Sequence, residues 1–218
     1  MKKIVLWGAT GQAVVLEEFL PLLGYRIISV FDNDASARSP FPNVPIYYGM
    51  SGFKEWKARN NSKDVYCLVA IGGPNGKDRL EIQNFLEKQG LISVVAVHPK
   101  AFVASTVKIG AGTQVLANSA ICARASLGLS AIVNTSASID HECVIGDGVH
   151  VGPGATLAGC VWVGNCSFIG AGAVVLPRIR IGERSIIGAG SIVTKDIPDD
   201  TVAFGVPAEI TGKRDGYY

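Results

Sequence analysis

One histidine stands between two acidic residues in the second half of the chain, in the order Asp140, His141, Glu142. An imidazole beside a carboxylate can accept a proton from a nucleophile, while the carboxylate fixes which ring nitrogen carries hydrogen. Adjacent residues on a flat strand face opposite ways, so His141 and Glu142 can cooperate only at a turn. The motif therefore predicts a general base at a turn, although a lone surface histidine is more often simply solvated.

Two further polar residues lie close to this motif in the sequence. His150 follows His141 by nine residues, and either binds a ligand or fills a corner of the fold. Asn134 is either a polar turn residue, since Asn tolerates left-handed geometry, or a contact for a substrate. His98 precedes Pro99 at a change in sequence pattern, and we interpret it as structural.

The cysteines indicate the redox environment of the protein. They are Cys67, Cys122, Cys143, Cys160 and Cys166, an odd number without a Cys-x-x-Cys pair. We interpret them as reduced thiols of a cytoplasmic protein, and the same spacing argues against a metal site. Cys143 occupies an inward position of the repeat described next, which argues against a cysteine nucleophile.

The element that must position these residues is a six-residue repeat. Every sixth residue from Val103 to Val193 is aliphatic, without a break in register, and the next residue is most often Gly. A period of six fits neither a helix nor a simple strand, but it is typical of a parallel β-helix of hexapeptides. Three hexads make one coil, stacked about 4.8 Å above the last. We expect the aliphatic residues to point inside the β-helix and Gly to permit the turns. An irregular tail after Val193 is expected to cover the last coil.

The first half has no such period and instead alternates strand and helix patterns. Strands are predicted over 4–7, 26–31, 65–71 and 91–97, and helices over 12–23, 53–59 and 78–89, with a proline-marked loop between residues 40 and 45. This alternation is typical of a small parallel, Rossmann-like α/β sheet. The expected domains are therefore residues 1–98 and 99–218.

A glycine turn in the first half has the pattern of an anion site. Gly8-Ala9-Thr10-Gly11 lies between a strand and a helix, where backbone N–H groups and the helix dipole favour negative charge. Asp32 ends the next strand, where an acidic residue commonly meets a ribose or a base. The full dinucleotide motif is absent, with Val14 at the place of a third Gly, so a mononucleotide or nucleotide sugar is favoured over NAD.

Composition excludes other classes of function. The 218 residues carry a net charge of +2, without a charge run, which argues against binding nucleic acid. No stretch is long and apolar enough to suggest a membrane span.

The hexads, the stretch Asn134–Gly146, the later Gly205-Val206-Pro207-Ala208 and the front turn with Asp32 resemble the two-domain sugar acyltransferases of the left-handed β-helix class. The similarity covers nearly the whole chain and is greatest to nucleotide-linked 4-amino-sugar N-acetyltransferases. GDP-perosamine N-acetyltransferases and sialic acid O-acetyltransferases are also similar. The resemblance implies an enzyme that transfers acetyl from acetyl-CoA to the 4-amino group of a nucleotide-linked 4-amino-4,6-dideoxy sugar, with UDP favoured.

The resemblance also implies roles for particular residues. His141 would be the base, tuned by Glu142, and Asn134 would lie near the sugar. The acetyl-CoA contacts would be His150, the Gly159 backbone, Ala171 and Ala189. The nucleotide and its phosphates would meet Thr10, Gly11, Gln12, Asp32, Asn33 and Gly72, where the family often has His in place of Gln12.

The resemblance implies a homotrimer with active sites between subunits, without a metal cofactor. Three alternatives remain open at this stage. The first is an O-acetyltransferase acting on sialic acid or another hydroxyl, and the second is a non-catalytic nucleotide-sugar sensor. An NAD-dependent enzyme is the least favoured.

Overall fold

The protein is described from a computed structural model, which covers residues 1–60 and 62–214. The chain forms two compact units. The first contains Met1–Gly72 and Glu81–Ala96, and the second contains Gly73–Leu80 and the chain from Val97 onward. The expected range of the second domain ends with residues 215–218, which lie outside the described part.

The first unit contains a five-stranded sheet in the order β3-β2-β1-β4-β5. Every neighbouring pair is parallel, which confirms the predicted α/β sheet. The strands are β1 Lys2–Trp7, β2 Tyr25–Asp32, β3 Ile46–Tyr48, β4 Tyr66–Val69 and β5 Ile92–Ser93. The core of this unit is rich in aromatic residues, and the ring centroids of the stacked Trp7 and Phe31 are 5.3 Å apart.

The helices are α1 Gly11–Glu17, α2 Gly49–Arg59 and α3 Gly76–Lys88. The predicted helix over 12–23 was too long: it ends early, and a separate 3-10 turn follows at Pro21–Leu23, because Pro21 has no N–H to donate to the carbonyl four residues before it. The proline-marked loop also leads into β3, which was missed. β3 is an edge strand, where prolines are tolerated.

The strand predicted over 91–97 is divided in two. Ile92–Ser93 joins the first sheet, and Ala96–Val97, here β6, belongs to a sheet of the repeat region. A continuous apolar run does not reveal such a change of sheet, because hydrophobicity alone does not specify the partner strand.

The repeat region is a left-handed parallel β-helix, as predicted. Its sixteen two-residue strands, β7 to β22, are Phe102–Val103, Lys108–Ile109, Gln114–Val115, Ala120–Ile121, Ser126–Leu127, Ile132–Val133, Ser138–Ile139, Val144–Ile145, His150–Val151, Thr156–Leu157, Trp162–Val163, Phe168–Ile169, Val174–Val175, Arg180–Ile181, Ile186–Ile187 and Ile192–Val193. They form three faces, and partners lie eighteen residues apart, as Ser138 and Thr156 do. The aliphatic residues from Val115 onward form its buried core.

The glycines of the repeat act differently from the prediction. Every turn from Gly112 to Gly190 does contain a residue with left-handed backbone geometry. That residue lies two positions after the one that is most often Gly, at positions such as Glu142 and Cys160. The glycine after the aliphatic residue instead permits close stacking of coils. A Cβ on Gly170, for example, would lie 2.5 Å from the backbone nitrogen of Ala189 in the next coil.

The tail after Val193 is more regular than predicted. Strands β23 Thr201–Gly205 and β24 Ala208–Lys213 form an antiparallel hairpin, and β23 pairs with β21 of the last full coil. The Phe204 ring lies against the backbone of Gly188, where a Cβ would overlap it at 1.8 Å. Pairing removes an exposed strand edge, which explains why the tail is ordered. No helix in 1–60 or 62–214 has the length and apolarity needed to cross a bilayer.

Candidate active site

The histidine–glutamate pair lies at the turn between β13 and β14, where the two side chains can meet. Glu142 has a φ of 57°, and its Oε2 lies 3.1 Å from Nδ1 of His141. Asp140 uses its Oδ1 to accept the backbone N–H of His141 at 2.7 Å, so it holds the turn. About half of each side chain of the pair is exposed, with 53% for His141. A dissolved ligand can therefore reach the imidazole.

The hydrogen bond to Glu142 defines the chemistry of the ring. A carboxylate can only accept, so Nδ1 of His141 carries the hydrogen and Nε2 keeps the lone pair. Nε2 lies over Gly159 of the next coil, where a Cβ would be only 2.5 Å away. Gly159 thus leaves the space that the imidazole occupies, with Nε2 as the basic atom.

A thiol and a guanidinium also surround Glu142. Cys160, eighteen residues later in the sequence, places Sγ 4.0 Å from Oε2, and Nη1 of Arg124 lies 3.8 Å from Oε1. Cys143, the next residue in the sequence, was predicted to point inward. Cys143 is fully buried as predicted, and burial raises the pKa of its thiol to about 11. Cys160 is the thiol beside the pair.

The second histidine of the repeat has the opposite environment. His150 is 5% exposed on the outer side of strand β15, and its ring meets Phe168 edge-on at 5.3 Å. Nδ2 of Asn134 lies 3.0 Å from Nε2 of His150. Oδ1 of Asn134 already accepts the N–H of Thr135 at 2.7 Å, so its amide nitrogen faces the ring and donates to Nε2.

His150 is held in its neutral form. Burial, and next the positive charge of Arg79, lower the pKa of His150 to about 4. Among the described residues Nδ1 has no partner with good hydrogen-bond geometry, although the backbone of Gly73 opposes part of the shift. A neutral ring with hydrogen on Nδ1 is what the Asn134 contact requires.

Arg79 is fully buried, and no motif in the sequence marks it as a functional residue. Its Nε donates to the carbonyl of Ser130 at 3.1 Å, Nη1 to Gly73 at 3.3 Å and Nη2 to Gly148 at 2.5 Å. Burial lowers the pKa of this guanidinium to about 10, so it stays charged at neutral pH. Arg79 thereby ties the segment Gly73–Leu80 to turns of the β-helix.

The remaining predicted residues of the repeat divide between two edges of the prism. Ala171 and Ala189 are exposed and stacked, since the N–H of Gly190 donates to the Ala171 carbonyl at 2.8 Å. They are stacked above the turn between β12 and β13, and so lie on the same edge of the prism as Asn134. His141, Glu142 and Gly159 lie on the next edge. One chain therefore brings His150 to Asn134, and His141 to Gly159, but separates these two groups.

The predicted nucleotide residues lie at one edge of the first unit. Thr10, Gly11 and Gln12 follow β1, Asp32 and Asn33 end β2, and Gly72 follows β4. β1, β2 and β4 are adjacent and parallel, so these residues gather at the carboxyl edge of the sheet. In open α/β sheets this is the edge where ligands bind, near the strand at which the order reverses.

Asp32 organises that edge. Its Oδ2 accepts the N–H of Ala9 at 2.8 Å and its Oδ1 the N–H of Asp34 at 2.9 Å. Gly8 has a φ of 114°, and a Cβ there would lie 2.3 Å from the Ala70 carbonyl oxygen, so the turn requires glycine. Each Asp32 oxygen retains a second acceptor site for a ligand hydroxyl.

The fold and these two sets of residues define a hexapeptide-repeat transferase with an α/β front domain. A family model described as "Bacterial transferase hexapeptide (six repeats)" matches residues 160–195. A structure of the histidine-to-asparagine mutant of perosamine N-acetyltransferase from Caulobacter crescentus, in complex with CoA and GDP-perosamine, is 34% identical with a TM-score of 0.88. The match covers 98% of both chains.

Two further structures have the same fold. The acetyltransferase domain of PglB from Neisseria gonorrhoeae FA1090, in complex with acetyl coenzyme A, is 29% identical with a TM-score of 0.84, covering 96% of this chain and 98% of that one. WeeI from Acinetobacter baumannii AYE is 23% identical with a TM-score of 0.82, covering 96% and 100%. The chain belongs to the hexapeptide-repeat family of nucleotide-linked amino-sugar acetyltransferases. The predicted enzyme class, a sugar acetyltransferase, is confirmed.

Proposed function

We propose that this enzyme transfers acetyl from acetyl-CoA to the 4-amino group of a nucleotide-linked 4-amino-4,6-dideoxy sugar, with His141 as the general base. The observation that carries the proposal is the pair formed by His141 and Glu142 above Gly159, with Nε2 as the basic atom. Relatives with CoA and GDP-perosamine, or with acetyl coenzyme A, support the two substrates.

The reaction needs no acyl-enzyme. The sugar amine attacks the thioester carbonyl, a C–N bond forms, and the C–S bond breaks to release the CoA thiol. Nε2 of His141 takes the proton that the amine loses, while the Glu142 carboxylate holds Nδ1–H. A backbone N–H near Gly159 would stabilise the thioester oxygen as charge develops on it. Orientation of the two substrates supplies much of the remaining acceleration.

The two edges of the prism support a closed oligomer. The proposed contact for the sugar is Asn134, and those for the thioester and its pantetheine arm are His150, Ala171 and Ala189. These residues lie on a different edge of the prism from His141. A second copy that sets one edge against the other would complete each site, as in the homotrimer that the family resemblance implies. The five free thiols further support a cytoplasmic location.

The first unit is the proposed nucleotide site. Backbone N–H groups of the turn at Thr10 and Gly11 would meet phosphate, with Gln12 as a neutral donor, and Asp32 would accept from a ribose or base. Asn33 and Gly72 line the same edge. Our prediction favours a UDP-sugar, and the relative with GDP-perosamine makes a GDP-sugar its direct competitor.

The test is release of free thiol from acetyl-CoA with UDP-, GDP- and dTDP-linked 4-amino-4,6-dideoxy sugars, and sialic acid as the hydroxyl control. Fast release with one amino sugar, lost in His141→Ala, is the expected result, and the responding sugar names the nucleotide. Release only with sialic acid would favour the O-acetyltransferase, whose ester product is cleaved by mild alkali, unlike an amide. Normal turnover in His141→Ala would contradict the assignment of the base.

A further inference from the structure

The cysteine spacing alone argued against a metal site, but three side chains of different chemistry meet at the turn that carries His141. The imidazole of His141, the carboxylate of Glu142 and the thiol of Cys160 each offer one ligand atom, and these atoms all lie within 4.8 Å of one another. Nitrogen, oxygen and sulfur donors of these kinds are the ones that zinc binds in proteins. We propose that this turn binds a zinc ion that inhibits the enzyme; the inhibition, but not the binding, rests on the proposed function.

The distances are close to those of a zinc site. With zinc bonds of about 2.0 to 2.3 Å and tetrahedral angles, two ligand atoms are roughly 3.3 to 3.6 Å apart. Oε2 of Glu142 lies 3.1 Å from Nδ1 of His141 and 4.0 Å from Sγ of Cys160. Movements of about 1 Å, within the reach of small side-chain rotations, would bring the three atoms onto one ion.

The backbone already holds the ligands in place. Glu142 and Cys160 occupy equivalent left-handed positions in successive coils, with φ of 57° and 62°. The N–H of Cys160 donates to the carbonyl of His141 at 2.9 Å, so ladder hydrogen bonding fixes one coil against the other. Only side chains need to move, and a rigid support of this kind favours binding.

Charge also favours a divalent cation here. On binding, Cys160 releases its thiol proton to solvent, and thiolate plus carboxylate then neutralise the two charges of zinc. Water can take the fourth position, since about half of the His141 and Glu142 side chains is exposed. Arg124, 3.8 Å from the other oxygen of Glu142, is the cation that zinc would have to compete with.

Bound zinc would remove the base. When the metal takes the lone pair of Nδ1, the single hydrogen of the neutral ring must sit on Nε2. Nε2 then cannot accept the proton of the sugar amine. Zinc also takes the Glu142 carboxylate away from the ring, so both parts of the pair are lost together.

Binding is tested without any substrate, by titrating the metal-free protein with Co²⁺ and recording the near-ultraviolet band of thiolate bound to cobalt. We expect one equivalent to bind in the wild type, the band to be lost in Cys160→Ser and retained in Cys122→Ser. Cys122 is a matched control, a half-buried thiol beside Asp140 and outside the trio. The site is overturned if the wild type lacks the band, or if Cys160→Ser keeps it.

Inhibition is tested with Zn²⁺ on the active enzyme, by following loss of the thioester. We expect half-inhibition at a zinc concentration at least tenfold higher in Cys160→Ser than in the wild type and Cys122→Ser. Equal inhibition of all three proteins would overturn the inhibitory role. Because cobalt binding needs no sugar, a wrong proposed function would leave the binding result intact.

Discussion

The two histidines of the β-helix are nine residues apart in the sequence and have opposite environments. His141 lies at a turn, half exposed, with a carboxylate on Nδ1. His150 lies on a strand, covered, with an amide on Nε2 and a guanidinium nearby. The comparison teaches that a residue's place in the hexad, and what covers it, decide whether an imidazole can exchange protons or acts as a fixed acceptor.

Removing the exposed imidazole should have the largest effect on activity. His141→Ala is expected to lower kcat/KM by roughly 10²- to 10⁴-fold, because a general base typically contributes this much. The measurement is the initial rate of thiol release, with urea unfolding to show that stability is unchanged. His98→Asn is the control, since Nδ1 of His98 accepts the N–H of Lys100 away from the pair.

Removing the buried guanidinium should act on stability first. Arg79→Met leaves the carbonyls of Ser130, Gly73 and Gly148 without this donor, at about 1–3 kcal/mol for each buried group that stays unsatisfied. We expect the free energy of unfolding to fall by about 3 kcal/mol or more in urea. The exposed Arg178→Met should change it little, and equal losses in both variants would contradict the role of Arg79.

The buried histidine should make stability depend on pH. The pKa of His150 is about 4 in the folded protein against an ordinary value of 6.5, so between these pH values the unfolded chain binds more protons. The free energy of unfolding should therefore fall as the pH drops from 6.5 to 4, by about 3 kcal/mol from this group. From roughly one pH unit above 6.5 the imidazole is neutral in both states, and its contribution to the slope vanishes.

Urea unfolding at a series of pH values measures this slope. His150→Gln should flatten the part between pH 6.5 and 4, because Gln does not titrate there. Arg79→Met should shift the midpoint of the slope upward, since the loss of a nearby positive charge makes protonation of His150 easier. A slope unchanged in His150→Gln would assign it to other groups.

The smallest effect is expected from the contact under the exposed ring. Gly159→Ala places a Cβ 2.5 Å from Nε2 of His141, so the half-exposed imidazole must move. We expect turnover to fall roughly tenfold, because a displaced imidazole accepts the proton from a less favourable position. Cys160→Ala, one residue later, should keep near-normal turnover. Full activity in Gly159→Ala would show that the imidazole position is not critical.

Much of the fold could be predicted from the sequence, because an unbroken period of six has one regular solution. This period correctly predicted that the aliphatic residues form the core and that the His141–Glu142 pair lies at a turn. It misassigned the role of the glycines, since a period shows where a small residue recurs but not which backbone approaches it. The early end of α1 had a signal in Pro21, whereas β3 had no clear strand pattern.

The sequence by itself determined the register of the repeat, and with it which side chains of each hexad point inward. Because successive coils are offset by eighteen residues, the sequence also indicates that Cys160 lies beside Glu142. Only the tertiary structure decided the state of His150. Its low pKa comes from burial and then from the positive charge of Arg79, more than seventy residues away in the sequence, and local patterns do not specify such contacts. Desolvation and charge act through space, so tertiary packing set the chemistry of this residue.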